Sequence, residues 1–275
     1  MLRDSESYYL DSLKLEKMII TSLEMAKIPI RLDQPLKAVE IYKTSLAIFP
    51  SDVSLNTASA RVYEMLGDYE NSTLIYQSVL NSEAYNLEAL ASIASENFYS
   101  DQPEIALKYY KRLIEMGISN TEIWNNIGLS AFYSSQYDIC FTCFLNALSM
   151  SDKTNVADVW YNIGQVGCGL GDTNMAYQAF KLAISLDRGH AEAYNNLGVL
   201  EMQRGNSEQG RLNFQTAIKL SGYIFQPLYN YAIMAFKNGD FQECFNKLKS
   251  SMAVFPDFPQ CKALLDTVNI IFISK

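Results

Sequence analysis

The stretch Ala157-Asp158-Val159-Trp160-Tyr161-Asn162-Ile163-Gly164-Gln165-Val166-Gly167-Cys168-Gly169-Leu170-Gly171-Asp172 decides the fold. It begins as a helix, runs into glycine, and ends on a Gly-Asp pair. Such a pair reads as the left-handed end of one helix followed by the cap of the next. The same punctuation recurs at Gly67-Asp68, Gly205-Asn206 and Gly239-Asp240, and Gly171, Gly205 and Gly239 stand 34 residues apart. A fixed period of this length predicts an all-α chain built from stacked helix–turn–helix units.

Numbering each unit so that Trp124 and Trp160 fall at position four extends the period over the chain. Position eight then holds Ala26, Ala60, Ala94, Gly128, Gly164, Gly198 and Ala232. Position twenty holds Ala38, Ser72, Ala106, Cys140, Ala176, Gly210 and Cys244, all small. Position twenty-four holds Tyr42, Tyr76, Tyr110, Phe144, Phe180, Phe214 and Leu248, and position thirty-two holds Pro50 and Pro256 in the first and last units. The spacing is 34 throughout except between Gly128 and Gly164, where it is 36, which places two extra residues in the loop 151–156. Small residues at eight and twenty let two helix backbones approach, and the aromatic at twenty-four fills the space beside them. One hairpin cannot bury its apolar faces alone, so neighbours stack.

This pattern resembles the tetratricopeptide repeat. It implies a solenoid, a right-handed superhelix of antiparallel helix pairs. Seven repeats are expected at 19–52, 53–86, 87–120, 121–156, 157–190, 191–224 and 225–258. Pro29 falls inside the first helix and is expected to shorten or kink it. Residues 1–18 read as the remnant of a preceding repeat. Residues 259–275 read as a rather apolar closing helix, with Leu264, Leu265, Val268 and Ile271 at helical spacing.

Composition narrows the function classes. Net charge is −8, which argues against a phosphate-tracking surface and so against nucleic acid, and points to partners with basic patches. The five cysteines are odd in number and irregular in spacing, as expected of reduced thiols in the cytoplasm. The polar, acidic start lacks the shape of a secretory signal, and no run approaches the ~18 apolar residues of a membrane span. No direct membrane insertion is expected.

Catalytic chemistry is poorly supplied. The single histidine, His190, closes a repeat and reads as structural. Cys140 and Cys143 have redox-like spacing, but Cys140 is a packing position. The glycines from Gly164 to Gly171 suggest a phosphate loop, yet they follow a helix rather than a strand and read as a loosely wound helix end. No enzyme activity, metal or cofactor is expected. A binding feature stands out instead: position six of the first helix holds Asn126, Asn162, Asn196 and Asn230 in successive repeats. In this architecture that position lines the concave groove. A carboxamide both donates and accepts, so a ladder of them is a candidate grip on the backbone of an extended peptide. Phe132, Tyr133, Tyr161, Tyr229 and Phe236 are candidate apolar anchors.

More specific strings lie between the repeat positions. They are Phe98-Tyr99-Ser100-Asp101-Gln102-Pro103-Glu104-Ile105-Ala106-Leu107, Ala157-Asp158-Val159-Trp160-Tyr161-Asn162, Gly171-Asp172-Thr173-Asn174, His190-Ala191-Glu192-Ala193-Tyr194-Asn195-Asn196-Leu197 and Val199-Leu200-Glu201-Met202. Together they resemble the Bardet–Biedl syndrome tetratricopeptide proteins. The resemblance implies a subunit of the BBSome, a coat-like complex that carries membrane proteins to and from cilia. The implied partners are other BBSome subunits, among them a second tetratricopeptide subunit and a small extended subunit in the groove. Ciliary membrane-protein cargo is reached through the complex. The implied sites are the cytoplasm, cilium, basal body and centriolar satellites. Family members are longer at the N-terminus, so the chain is expected to be a fragment, a short isoform or an incomplete gene model. A generic adaptor or co-chaperone clamp is the alternative, but clamping acidic tails needs basic groove residues, and 122–133, 158–169 and 192–203 contain no Lys or Arg.

Overall fold

A computed structural model describes residues 18–273, and every regular element among them is an α-helix. Helix α1 covers 18–31. It is followed by α2 (Pro35–Ile48), α3 (Val53–Met65), α4 (Tyr69–Ser82), α5 (Leu87–Tyr99), α6 (Pro103–Glu115), α7 (Thr121–Tyr133) and α8 (Tyr137–Met150). Then come α9 (Val156–Gly169), α10 (Thr173–Leu186), α11 (Ala191–Gln203), α12 (Ser207–Leu220), α13 (Phe225–Lys237), α14 (Phe241–Val254) and α15 (Pro259–Ile273). The expected remnant over 1–18 lies outside the described residues but for residue 18, as do the last two residues of the expected closing helix. The helices fall into two compact units. One holds α1 to α6 with Asn126–Cys140; the other holds Asn120–Asn125 and the chain from Phe141 onward.

Within the second unit α9 packs on α10, α11 on α12 and α13 on α14, and the second helix of each hairpin meets the first of the next. In the first unit α3 packs on α4 and α5 on α6 in the same way. The close approach has a direct cause. A Cβ on Gly164 would lie 2.5 Å from the ring of Phe180, and one on Gly198 would lie 2.7 Å from the ring of Phe214. Each ring fills the place its glycine leaves and is itself buried, which is worth ~2–3 kcal/mol per ring relative to exposure. Gly210 sits with Met202 and the Gly198 carbonyl at the limits of contact, and Ala176 and Phe180 join Ala183, Ala193, Leu197 and Leu200 in one apolar cluster. Ala94, Ala106, Tyr110, Gly128, Cys140 and Phe144 are likewise buried. At the C-terminal end α15 lays Cys261 and Val268 onto Ala232, Ala235, Cys244 and Leu248. It leaves Ile270, Phe272 and Ile273 exposed.

The turns inside the hairpins obey one rule. Each places a single residue in the left-handed region: Asp33, Gly67, Asp101, Ser135, Gly171, Gly205 and Gly239, from φ 57° at Asp33 to φ 82° at Gly205. Glycine does this without cost, and the three other residues do it against their side chains. The closure is shared: the amide of Asp68 reaches the Tyr63 carbonyl at 2.9 Å, and that of Gln102 reaches Asn97 at 2.8 Å. Pro29 occupies the matching position in α1, where its carbonyl accepts from the Gln34 amide at 2.8 Å. Sitting in the last turn, it forfeits one backbone bond and does not shorten the helix. α1 ends two residues before Asp33, as α3 ends two before Gly67.

Three further expectations are corrected. The glycines of α9 do not loosen it, because the helix is regular to Gly169; Gly167 instead admits the Ala176 backbone, whose nitrogen would lie 2.8 Å from a Cβ. The two extra residues are shared between the loop 151–155 and the start of α9, which has 14 residues where α11 has 13. Capping after the turn glycine holds for Asp68 and Asp172, but Asn206 and Asp240 make no side-chain cap. Asn206 gives its amide to the buried Glu201 carboxylate at 2.8 Å, and Asp240 faces Arg211 at 3.6 Å. Caps not foreseen start the first helices: Asp52, Asn86, Asn120 and His190 accept from the amides of Leu55, Ala89, Ile123 and Ala193.

Candidate peptide-binding face

All four position-six asparagines are half-buried. In the first unit the Asn126 amide donates to the Tyr110 hydroxyl at 3.4 Å. In the second unit the amides link one repeat to the next. Asn162 donates to Asn125 Oδ1 at 3.0 Å, and Asn230 donates to Asn195 Oδ1 at 2.9 Å. Asn195 passes its own amide to Asn196 Oδ1 at 3.0 Å. Asn196 then points its amide at the Tyr161 hydroxyl at 3.5 Å, and Gln165 donates to the same oxygen at 2.6 Å. A relay of side chains therefore runs from α13 through α11 to α9. Asn195 is an acceptor in it, and Asn125 is the acceptor of the separate bond from Asn162; both stand one position earlier in the repeat, and the position-six pattern alone did not single them out.

The relay ties the repeats together and still leaves polar atoms for a ligand. Each neutral bond contributes ~0.5–1.5 kcal/mol, and a carboxamide has two donor hydrogens and an acceptor oxygen with two lone pairs. Among the described residues nothing donates to the side-chain oxygens of Asn162 and Asn230. Burial raises the Tyr161 phenol above its ordinary value, with the bonds from Gln165 and Asn196 opposing. The hydroxyl stays protonated at neutral pH, accepts from two amides, and presents its own hydrogen. Tyr161, Gln165, Glu192, Asn195, Asn196 and Tyr223 line a cleft of about 500 Å³ here.

The other singled-out residues have local roles. Tyr229 packs edge-on against Phe258 at 4.8 Å and Phe236 against Phe241 at 5.6 Å. Phe132 and Tyr133 extend a row of rings with Phe98, Tyr99 and Tyr137, in which Tyr133 and Tyr99 remain exposed. The His190 ring is buried against Tyr161 at 4.7 Å and its Nδ1 caps α11. Cys140 and Cys143 are buried, and burial pushes the Cys244 thiol up to about 11. No helix among the described residues is long and apolar enough to cross a membrane.

Comparison with known proteins agrees with this architecture. A model of the tetratricopeptide-repeat family matches residues 157–190, which hold α9 and α10. The solved structure of a tetratricopeptide repeat protein from Parabacteroides merdae superposes with a TM-score of 0.77 at 15% identity, covering 92% of this chain and 99% of that one. That likeness shows the all-helical solenoid fold. Tetratricopeptide repeat protein 8 of Homo sapiens is 43% identical over 266 residues, 96% of this chain and 49% of that protein. The BBSome complex member BBS4 of Bos taurus is 24% identical over 84% of this chain and 44% of its own length. The chain spans about half the length of the curated relatives it matches. The chain is thus a tetratricopeptide-repeat solenoid in fold and is homologous to about half of Tetratricopeptide repeat protein 8.

Proposed function

We propose that this chain is a non-enzymatic scaffold within the BBSome, serving the traffic of membrane proteins to and from cilia and the assembly of the cilium. The observation that carries the reading is the similarity to Tetratricopeptide repeat protein 8 over nearly the whole chain, beside the fainter similarity to a BBSome complex member. Its partners are other BBSome subunits, including a second tetratricopeptide subunit, and cargo is met through the assembled complex. It works in the cytoplasm at the cilium, basal body and centriolar satellites.

On the same reading, Asn126, Asn162, Asn196 and Asn230 contact a small extended subunit. The half-exposed amides and the presented Tyr161 hydroxyl suit a polypeptide backbone, which offers alternating donors and acceptors. A co-chaperone clamp for acidic tails is disfavoured, because α9 and α11 carry no basic residue and their first turns carry Asp158 and Glu192. The reading is tested by co-expressing the chain with BBSome complex member BBS4 and a candidate extended subunit, followed by gel filtration. Co-elution in one peak at constant ratio supports it. Separate elution of folded proteins contradicts it.

A further inference from the structure

We propose that the cleft lined by α9, α11, the loop 221–224 and the first residues of α13 is a subsite for the guanidinium of an arginine carried by an extended partner. The inference rests on the peptide-binding reading of this face and adds a side-chain preference to it. The Glu192 carboxylate is the charged group in the lining of this cleft of about 500 Å³. No lysine or arginine lines the cleft with it. Its Oε2 lies 3.3 Å from His190 Nδ1, a nitrogen that the Ala193 amide also meets at 3.3 Å and whose ring faces Asp158 at 3.5 Å on its other side. Half of the Glu192 side chain stays open to solvent, with 47% exposure.

A second acceptor lines the same cleft. Gln165 commits its amide nitrogen to the Tyr161 hydroxyl, and among the described residues nothing donates to its carbonyl oxygen. The aromatic rings complete the site: Tyr161 forms a wall, and Tyr223, 80% exposed, stands at the rim. One carboxylate, one amide oxygen and aromatic faces match the planar donor fork of arginine better than the compact ammonium of lysine.

The first unit supplies an internal comparison. Glu88 holds the same repeat position as Glu192 and also lines a cleft, of about 590 Å³. There Arg61 sits in the lining and binds the Glu88 carboxylate through two nitrogens. Of the position-two acids Glu88, Glu122, Asp158 and Glu192, Glu88 is met by a guanidinium of the chain itself, whereas the cleft at Glu192 has no arginine in its lining.

The test uses the full chain and three labelled twelve-residue peptides of serine, glycine and valine, identical except for a central arginine, citrulline or glutamate. Fluorescence anisotropy reads their affinities for the native chain and for Glu192→Gln, with thermal melting as the folding control. The arginine peptide is expected to bind roughly tenfold more tightly than the citrulline peptide, and Glu192→Gln to erase the difference without moving the melt. Equal binding of arginine and citrulline overturns the subsite while leaving peptide binding intact, and so does a preference that survives Glu192→Gln. Failure of all three peptides to bind the folded chain overturns the subsite together with the peptide-binding reading.

Discussion

At the scale of single residues the repeat works by exchanging a side chain for a ring. Gly198 and Gly205 separate two different demands on glycine. Gly198 is helical and needs space, because Phe214 occupies the Cβ position, whereas Gly205 has open space around it but φ of 82°. Gly198→Ala is expected to lose ~1–2 kcal/mol in denaturant unfolding, an overpacking cost partly offset by helix propensity. Phe214→Leu in the same chain should return part of that loss. Gly205→Ala should lose a similar ~1–2 kcal/mol through backbone strain alone, with no rescue from Phe214→Leu. The buried tyrosines set an alkaline limit. Burial pushes Tyr110 up to about 12 from its ordinary 10.0, against bonds from Asn126 and Ser95. Its folded value lies above the unfolded one, so its stabilisation is complete below pH 10 and is lost as pH rises from about 10 to about 12. Thermal melting should fall across that window, and less steeply in Tyr110→Phe.

At the scale of elements the helix ends carry more variation than the helices. Asp172 and Asp240 follow equivalent turn glycines, yet only Asp172 caps its helix, through the Met175 amide at 2.9 Å. Asp172→Ala should cost ~1 kcal/mol of stability, and Asp240→Ala clearly less, because Asp240 gives up only a surface pair with Arg211. Equal losses would contradict this account of the caps. The turns show what was legible in the sequence. Gly67, Gly171, Gly205 and Gly239 announce left-handed residues by type, while Asp33, Asp101 and Ser135 adopt the same conformation and were legible only through the period. Pro29 misled for a related reason. Its type predicts a shortened or kinked helix, but its place in the final turn leaves one backbone bond to lose, and α1 runs on to residue 31.

At the scale of the whole molecule the contacts that join repeats were the least legible. The small-and-aromatic register follows from residue type, because a small residue on one helix leaves room for a large apolar side chain from the other, as at Gly198 and Phe214. The bonds onto Asn125, Asn195 and Tyr161 join partners 35 to 37 residues apart, and no spacing rule marks which amide becomes acceptor and which donor. The central claim is that this chain is a scaffold whose face of amides holds another polypeptide in a BBSome-like assembly. The most direct measurement is affinity purification of the tagged chain from ciliated cells, with quantitative mass spectrometry of what accompanies it. A variant with Asn126, Asn162, Asn196 and Asn230 all changed to Ala is purified beside it. The account predicts recovery of BBSome subunits in similar amounts with the native chain and selective loss of a small extended subunit from the variant. Recovery of chaperones alone, or full retention of every subunit by a folded variant, would contradict it.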